Sequence, residues 1–127
     1  DMGCALDYDL DGWMDVLSGD DDFGSWHLFR NEAGDQGAGG NHLLVQVGYS
    51  ENGTDPLGAE VRIKTGETGQ FKAVGSGSSA FSQNQLNILH FGLGKTTAVT
   101  EVEVRWRDGT TEKLENLDAG QVVKIGK

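Results

Sequence analysis

The stretch Glu101-Val102-Glu103-Val104-Arg105-Trp106-Arg107-Asp108-Gly109-Thr110-Thr111-Glu112-Lys113-Leu114 decides the fold. Val102, Val104 and Trp106 alternate with charged residues, the period of a strand that buries one face. Asp108-Gly109 then predicts a two-residue type I′ hairpin turn, because that turn needs positive φ at both central positions. Reading outward, the same alternation or β-branched character recurs at residues 42–49 (HLLVQVGY), 59–65 (AEVRIKT), 69–74 (GQFKAV), 87–91 (NILHF) and 121–125 (QVVKI). Turn residues separate these runs, at Asn52-Gly53 and Glu67-Thr68-Gly69 among others. No window carries a sustained 3.6-residue apolar stripe. The expected fold is therefore all-β, an antiparallel β-sandwich or a partly closed barrel.

Composition agrees with this. The chain has 127 residues, 36% hydrophobic and 24% charged, and a mean hydropathy of -0.42. That is enough for one modest core and too polar for a membrane span, which takes about 20 consecutive apolar residues. Twenty glycines against one proline, Pro56, point to tight turns rather than long helices. The single cysteine, Cys4, excludes an internal disulfide. No signal peptide opens the sequence, and the abrupt start at Asp1 reads as a domain from a longer protein.

Charge is unevenly spread. The formal net charge is -10, and eight acids precede the first cation, Arg30. The remainder holds twelve acids and ten bases and is near balance. Nucleic acid is excluded as a partner, since phosphate binding needs a basic stripe. A dense anionic segment instead repels itself or holds a cation.

The sharpest chemical pattern lies in that segment: Asp7-Tyr8-Asp9-Leu10-Asp11-Gly12-Trp13-Met14-Asp15. Calcium takes six to eight hard oxygens, and carboxylates at alternate positions of a tight loop can all turn inward around it. A glycine at the sixth position permits the bend. This spacing assigns Asp7, Asp9, Asp11 and Asp15 as side-chain ligands and Trp13 as a main-chain carbonyl donor to Ca²⁺. The closing carboxylate comes at position nine, too early for an EF-hand. Short apolar runs on both sides predict strands, which makes this a calcium-binding β-hairpin loop. Magnesium resists such an all-protein cage. Asp20-Asp21-Asp22 lack the alternation and read as a solvated loop, with a second ion the less favoured assignment.

Residues 5–31 (ALDYDLDGWMDVLSGDDDFGSWHLFRN) resemble the end of an FG-GAP/VCBS-type calcium-binding repeat. The remainder of the chain resembles the ASPIC/UnbV domain: Leu57-Gly58-Ala59-Glu60-Val61, Gly75-Ser76-Gly77, Ser82-Gln83-Asn84, His90-Phe91-Gly92-Leu93-Gly94, and then Val102 to the Asp108-Gly109 turn. Arg107 stands where the family usually has proline. Residues 1–40 are thus expected as the calcium-loop segment and 41–127 as the sandwich, packed as one structural unit. The resemblance implies a secreted, extracellular or periplasmic module without catalytic activity.

Other constellations give little foothold for catalysis. Cys4 has no base nearby in sequence, and Gly75-Ser76-Gly77-Ser78-Ser79 matches neither a nucleophile elbow nor a phosphate loop. His90 reads as a hydrogen-bonded structural histidine, and His27 and His42 lack the spacing of a zinc site. Flat rings beside amides suit the faces and hydroxyls of sugars, which nominates Trp26, Tyr49 and Trp106 with Gln83, Asn84 and Gln85 as ligand-facing residues. Polysaccharide is the first expected ligand. The alternatives are a protein surface, as an adhesion module or the cap of a β-propeller, and less favourably a glycan-active enzyme. Asn52-Gly53-Thr54 is a formal glycosylation sequon.

Overall fold

The computed structural model describes residues 2–19, 24–75 and 87–127. The chain divides into two compact units, residues 1–40 and 41–127. The fold is all-β, and among the described residues no helix is long and apolar enough to cross a membrane.

The first unit is a three-stranded antiparallel sheet, ordered β1 (Met2–Leu6), β2 (Asp15–Gly19), β3 (Trp26–Phe29). Leu6 pairs with Asp15, so residues 7–14 form the connection between β1 and β2. Leu10 (φ 59°) and Gly12 (φ 94°) take the left-handed conformation there, which lets a short chain double back sharply.

The second unit is a sandwich. One sheet runs β10 (Gln121–Ile125), β4 (Asn41–Val47), β7 (Ile88–Gly94). The other runs β6 (Thr68–Ala73), β5 (Glu60–Thr65), β8 (Ala98–Arg105), β9 (Thr111–Asp118). Leu43, Val45, Val47, Leu89, Phe91, Val123 and Ile125 from the first sheet meet Val61, Ile63, Val102, Val104 and Trp106 from the second in one buried cluster. The two sheets do not close into a barrel. Across one open side the Gln70 side-chain amide donates to the Gly92 carbonyl at 2.7 Å.

Among the described residues the pairing is antiparallel except that β10 lies parallel to β4. The reason is the connection before it. β9 ends at Asp118 in one sheet, and Ala119-Gly120, with Gly120 at φ 76°, carry the chain directly across to the other. Their N–H groups are satisfied on the way by the carbonyls of Thr97 (2.9 Å) and His42 (2.7 Å).

Two further departures from the sequence pattern have local causes. The Asp108 turn is not type I′, because only Gly109 has positive φ (85°). Trp106 C=O accepts from Gly109 N–H (3.0 Å) and Trp106 N–H donates to Thr110 C=O (2.9 Å), a three-residue loop closed by a left-handed glycine. Asp108 stays in an ordinary conformation and caps instead: its carboxylate accepts from Thr110 N–H (2.9 Å), Thr54 Oγ1 (2.8 Å) and Ser50 Oγ (3.0 Å). The second departure is at Asn116, which is left-handed (φ 56°) inside β9. It reverses the alternation, so Leu114 and Leu117, three apart, both pack on the core, opposite Val102 and Val99.

Trp106 fixes the sandwich at its crowded end. It is 2% exposed, and its indole N–H donates to the Gly48 carbonyl at 3.0 Å. The chain after β10 crosses residues 48–49 so closely that a Cβ on Gly126 would meet the Tyr49 carbonyl oxygen at 2.6 Å and the Trp106 ring at 3.0 Å.

Two outcomes test this packing. Trp106→Ala is expected to cost about 3–5 kcal/mol in urea denaturation, the usual range for emptying a buried aromatic site. Hydrogen bonds, that from Thr110 N–H foremost and that from Thr54 next, hold the Asp108 carboxyl below the usual carboxylate range. In the acidic range the unfolded chain therefore binds this proton first, and the stabilisation, complete above the unfolded pKa of about 3.9, fades as pH falls below it. The melting-temperature gap between wild type and Asp108→Asn should be constant near pH 7 and close progressively below about pH 4.

Candidate functional site

The acidic loop is held by its own backbone. Asp7 accepts the N–H groups of Asp11 (3.1 Å) and Gly12 (2.9 Å), which curls the loop around its carboxylate. Asp15, at the start of β2 and 1% exposed, accepts from Tyr8 N–H (3.1 Å) and Asn31 N–H (2.7 Å). It thus ties both ends of the loop to the segment after β3. Asn31 adds a bond to the Met14 carbonyl at 3.2 Å and caps Ala33 N–H at 3.0 Å.

This folding brings Asp7, Asp9 and Asp15 together, with one carboxylate oxygen of each within 4.8 Å of the others. Calcium–oxygen bonds of 2.3–2.6 Å separate two ligand oxygens by at most about 5 Å, so the trio fits one hard cation. Asp11 is turned differently. One of its oxygens accepts Trp13 N–H (2.9 Å) and the other meets Arg30 (3.1 Å). The Trp13 indole lies across Gly34 and Gly39, where a Cβ would come within 2.6 and 2.5 Å of it.

Arg30 is the residue that sequence reasoning missed. Its guanidinium bridges Asp35 (2.6 Å), Asp9 (3.1 Å) and Asp11 (3.1 Å), and the first two raise its pKa above the ordinary arginine value. It is the one cation among the ten acids of residues 1–40, and that solitude was the available signal.

The nominated aromatic residues separate. Trp26 is 61% exposed on β3, and Tyr49 is 51% exposed just beyond β4. Trp106 cannot stack on a ligand, because its ring is buried and its N–H is engaged by Gly48; strand alternation places it inward with Val102 and Val104. Gln83, Asn84, Gln85 and Asp20-Asp21-Asp22 lie outside the described residues. His90 stacks on His42 from the neighbouring strand, with ring centroids 6.0 Å apart and planes 18° from parallel. Among the described residues no third metal-ligating side chain joins that pair.

A β-sandwich preceded by a small sheet with an acidic loop defines the class, and sequence comparison gives the family. The chain belongs to the ASPIC and UnbV family, whose profile matches residues 48–127. It is similar to cartilage acidic protein 1 of Homo sapiens, 34% identical over 109 residues, and to that of Mus musculus (33%) and Xenopus tropicalis (31%). Each match covers 84% of this chain and 16% of the relative, so the chain spans about a sixth of the proteins it resembles.

The acidic loop yields a test that needs no metal. In calcium-free buffer Asp15→Ala is expected to lose on the order of 2–4 kcal/mol, because two backbone N–H groups lose their acceptor. Asp9→Ala removes only a partly exposed ion pair with Arg30 and should stay within about 1 kcal/mol of wild type by the same urea titration.

Proposed function

We propose that the chain is a calcium-stabilised, non-catalytic recognition module of an extracellular protein, and that its ligand is a polysaccharide. One observation carries the ligand class: the exposed ring of Tyr49 stands at a cleft of about 260 Å³ that also presents the amides of Gln46 and Asn87. An aromatic face beside amide groups matches the apolar face and hydroxyl rim of a sugar. The extracellular reading draws on the vertebrate relatives, which are named for cartilage and for an acidic character that this chain shares.

Ca²⁺ supplies positive charge to a loop that otherwise concentrates carboxylates. Asp7, Asp9 and Asp15 would hold it, with Asp11 and the Trp13 carbonyl as the remaining loop donors. The role is structural, fixing β1 and β2 around the loop, in keeping with the resemblance of residues 5–31 to an FG-GAP/VCBS-type repeat.

A protein partner is the second reading, and a specific feature favours it for the first unit. Val16, Trp26, Leu28 and Phe29 are all exposed on a three-stranded sheet that, among the described residues of 1–40, has no second sheet packed on it. Sheets of this size gain stability by packing on another element, as a neighbouring blade or adhesion partner would provide.

Chelation with EDTA is expected to lower the melting temperature of the 127-residue chain, and Asp9→Ala to abolish that drop; an unchanged melt would discard the metal. For the ligand, polysaccharide embedded in a native gel should retard the chain while releasing no reducing ends, and Tyr49→Ala should migrate freely. Reducing ends appearing on incubation would show an enzyme instead.

A further inference from the structure

The cleft beside Tyr49 has a charge that the molecule as a whole does not. Residues 1–40 hold ten acids and one base, and residues 41–127 hold ten acids and nine bases. Yet among the described residues the cleft is lined by Lys124 and Lys127 and by no acidic side chain. In a chain of net charge -10, a concave surface lined by two lysines, with no Asp or Glu among its described lining residues, stands apart from the overall charge.

The fold explains how these groups converge. Lys124 sits on β10 directly opposite Gln46 of β4, and Gln46 is paired in turn with Ile88 of β7, so the two polar side chains share the sheet face turned away from Val45 and Val123. Asn87 precedes β7 and is locked to Val47 by two bonds, its main-chain carbonyl accepting from Val47 N–H (2.8 Å) and its side-chain N–H₂ donating to the Val47 carbonyl (2.9 Å). That leaves its Oδ1 as an acceptor with a fixed direction. Lys127 is steadied by its backbone, which exchanges two bonds with Tyr49 (2.9 Å each), while its Nζ donates to the Glu51 carbonyl at 3.2 Å and retains further N–H groups. Among the described residues neither Gln46 nor Lys124 has a side-chain partner. The cleft therefore combines an aromatic face, a positioned amide acceptor, an uncommitted amide and two lysines around Gly48, whose carbonyl is held by the Trp106 indole.

We propose that this cleft takes an acidic saccharide, a sugar unit bearing a carboxylate or sulfate ester, with its ring against Tyr49 and its anionic group between Lys124 and Lys127. The proposal rests on the polysaccharide reading and adds the charge. A neutral sugar would leave both ammonium groups unanswered, whereas an anion meets them with charge-assisted hydrogen bonds. The cavity accommodates a single unit of a chain and not a deeply enclosed ligand, so the remainder of the polymer would run out over the surface.

Titration calorimetry of the 127-residue chain with four oligosaccharides tests this: oligogalacturonate, its full methyl ester, sulfated dextran oligomer and unsulfated dextran oligomer. At least one acidic probe should bind about tenfold or more tighter than its neutral counterpart, a difference of about 1.4 kcal/mol. The preference should shrink as salt is raised from low to several-fold physiological levels. Which acidic probe leads separates carboxylate from sulfate. The Lys124→Gln, Lys127→Gln double variant should erase the preference for the acidic probes, and Tyr49→Ala should weaken all four. A Lys95→Gln, Arg105→Gln variant, changing exposed cations outside the cleft, should behave as wild type. Equal binding of acidic and neutral probes overturns the charge assignment and leaves the polysaccharide reading standing. Absence of binding to all four overturns both. Loss of the acidic preference in the Lys95, Arg105 variant overturns the site, since the attraction would then be diffuse.

Discussion

The sandwich hangs on one hydrogen bond, from the Trp106 indole to the Gly48 carbonyl. Trp106 comes directly after β8, at the end of the four-stranded sheet, and Gly48 follows β4 in the facing sheet, so this bond joins the two layers where the core is bulkiest. It also demands glycine on both sides. The chain after β10 passes so near residue 48 that a side chain at Gly48 would collide with the Lys127 backbone, and Gly126 is left-handed (φ 89°) against the indole itself. With the backbone pinned from below, the next residue, Tyr49, has only the outward direction left. A ring that faces solvent is thus placed by one that is buried.

The acidic loop follows a comparable logic with charges in place of rings. Asp15 is buried and engaged by two backbone donors, so it is a structural part of the loop whether or not a cation is present. Asp9 and Asp11 each contact Arg30, and Asp9 also stays within reach of Asp7 and Asp15. A loop built in this way keeps its shape from hydrogen bonds while its charge remains to be balanced, and Arg30 is the protein's own partial answer. The guanidinium and a divalent ion would draw on overlapping carboxylates, which ties the strength of any metal binding to the placement of a residue fifteen positions beyond the loop's last aspartate.

Much of this was legible in the sequence. Alternation located the strands of the second unit because a half-buried strand has only one way to satisfy its two faces, and the Asp-x-Asp-x-Asp-Gly spacing located a tight acidic loop between two strands. Illegible features arose where a local rule yielded to a tertiary one. β9 reads as ending near Leu114 because the alternation fails there; the left-handed Asn116 restores the inward face one residue out of phase. β10 reads as one more antiparallel strand, whereas the two-residue crossing at Ala119-Gly120 makes it parallel. Trp106 reads as a ligand-facing ring, and its alternation with the inward Val102 and Val104 carries it into the core instead. Arg30 gave no pattern of its own, since its three partners are brought to it by the sheet and not by spacing.

The rims of the second unit also govern what it does in company. A sheet border offers unpaired N–H and C=O groups to any other extended chain. On β9 that border carries Glu112, Lys113, Glu115 and Asp118, and the kink at Asn116 interrupts its straightness. On β6 the Gln70 amide reaches over to the facing sheet, and Phe71 is covered in part by Arg62, whose guanidinium carbon lies 4.9 Å from the ring centre. A strand arriving from another molecule would have to neutralise or displace these groups before its first backbone bond formed. The borders are thereby made poor templates for fibrils or strand exchange, and the second unit can meet other extended chains without adding them to its sheets.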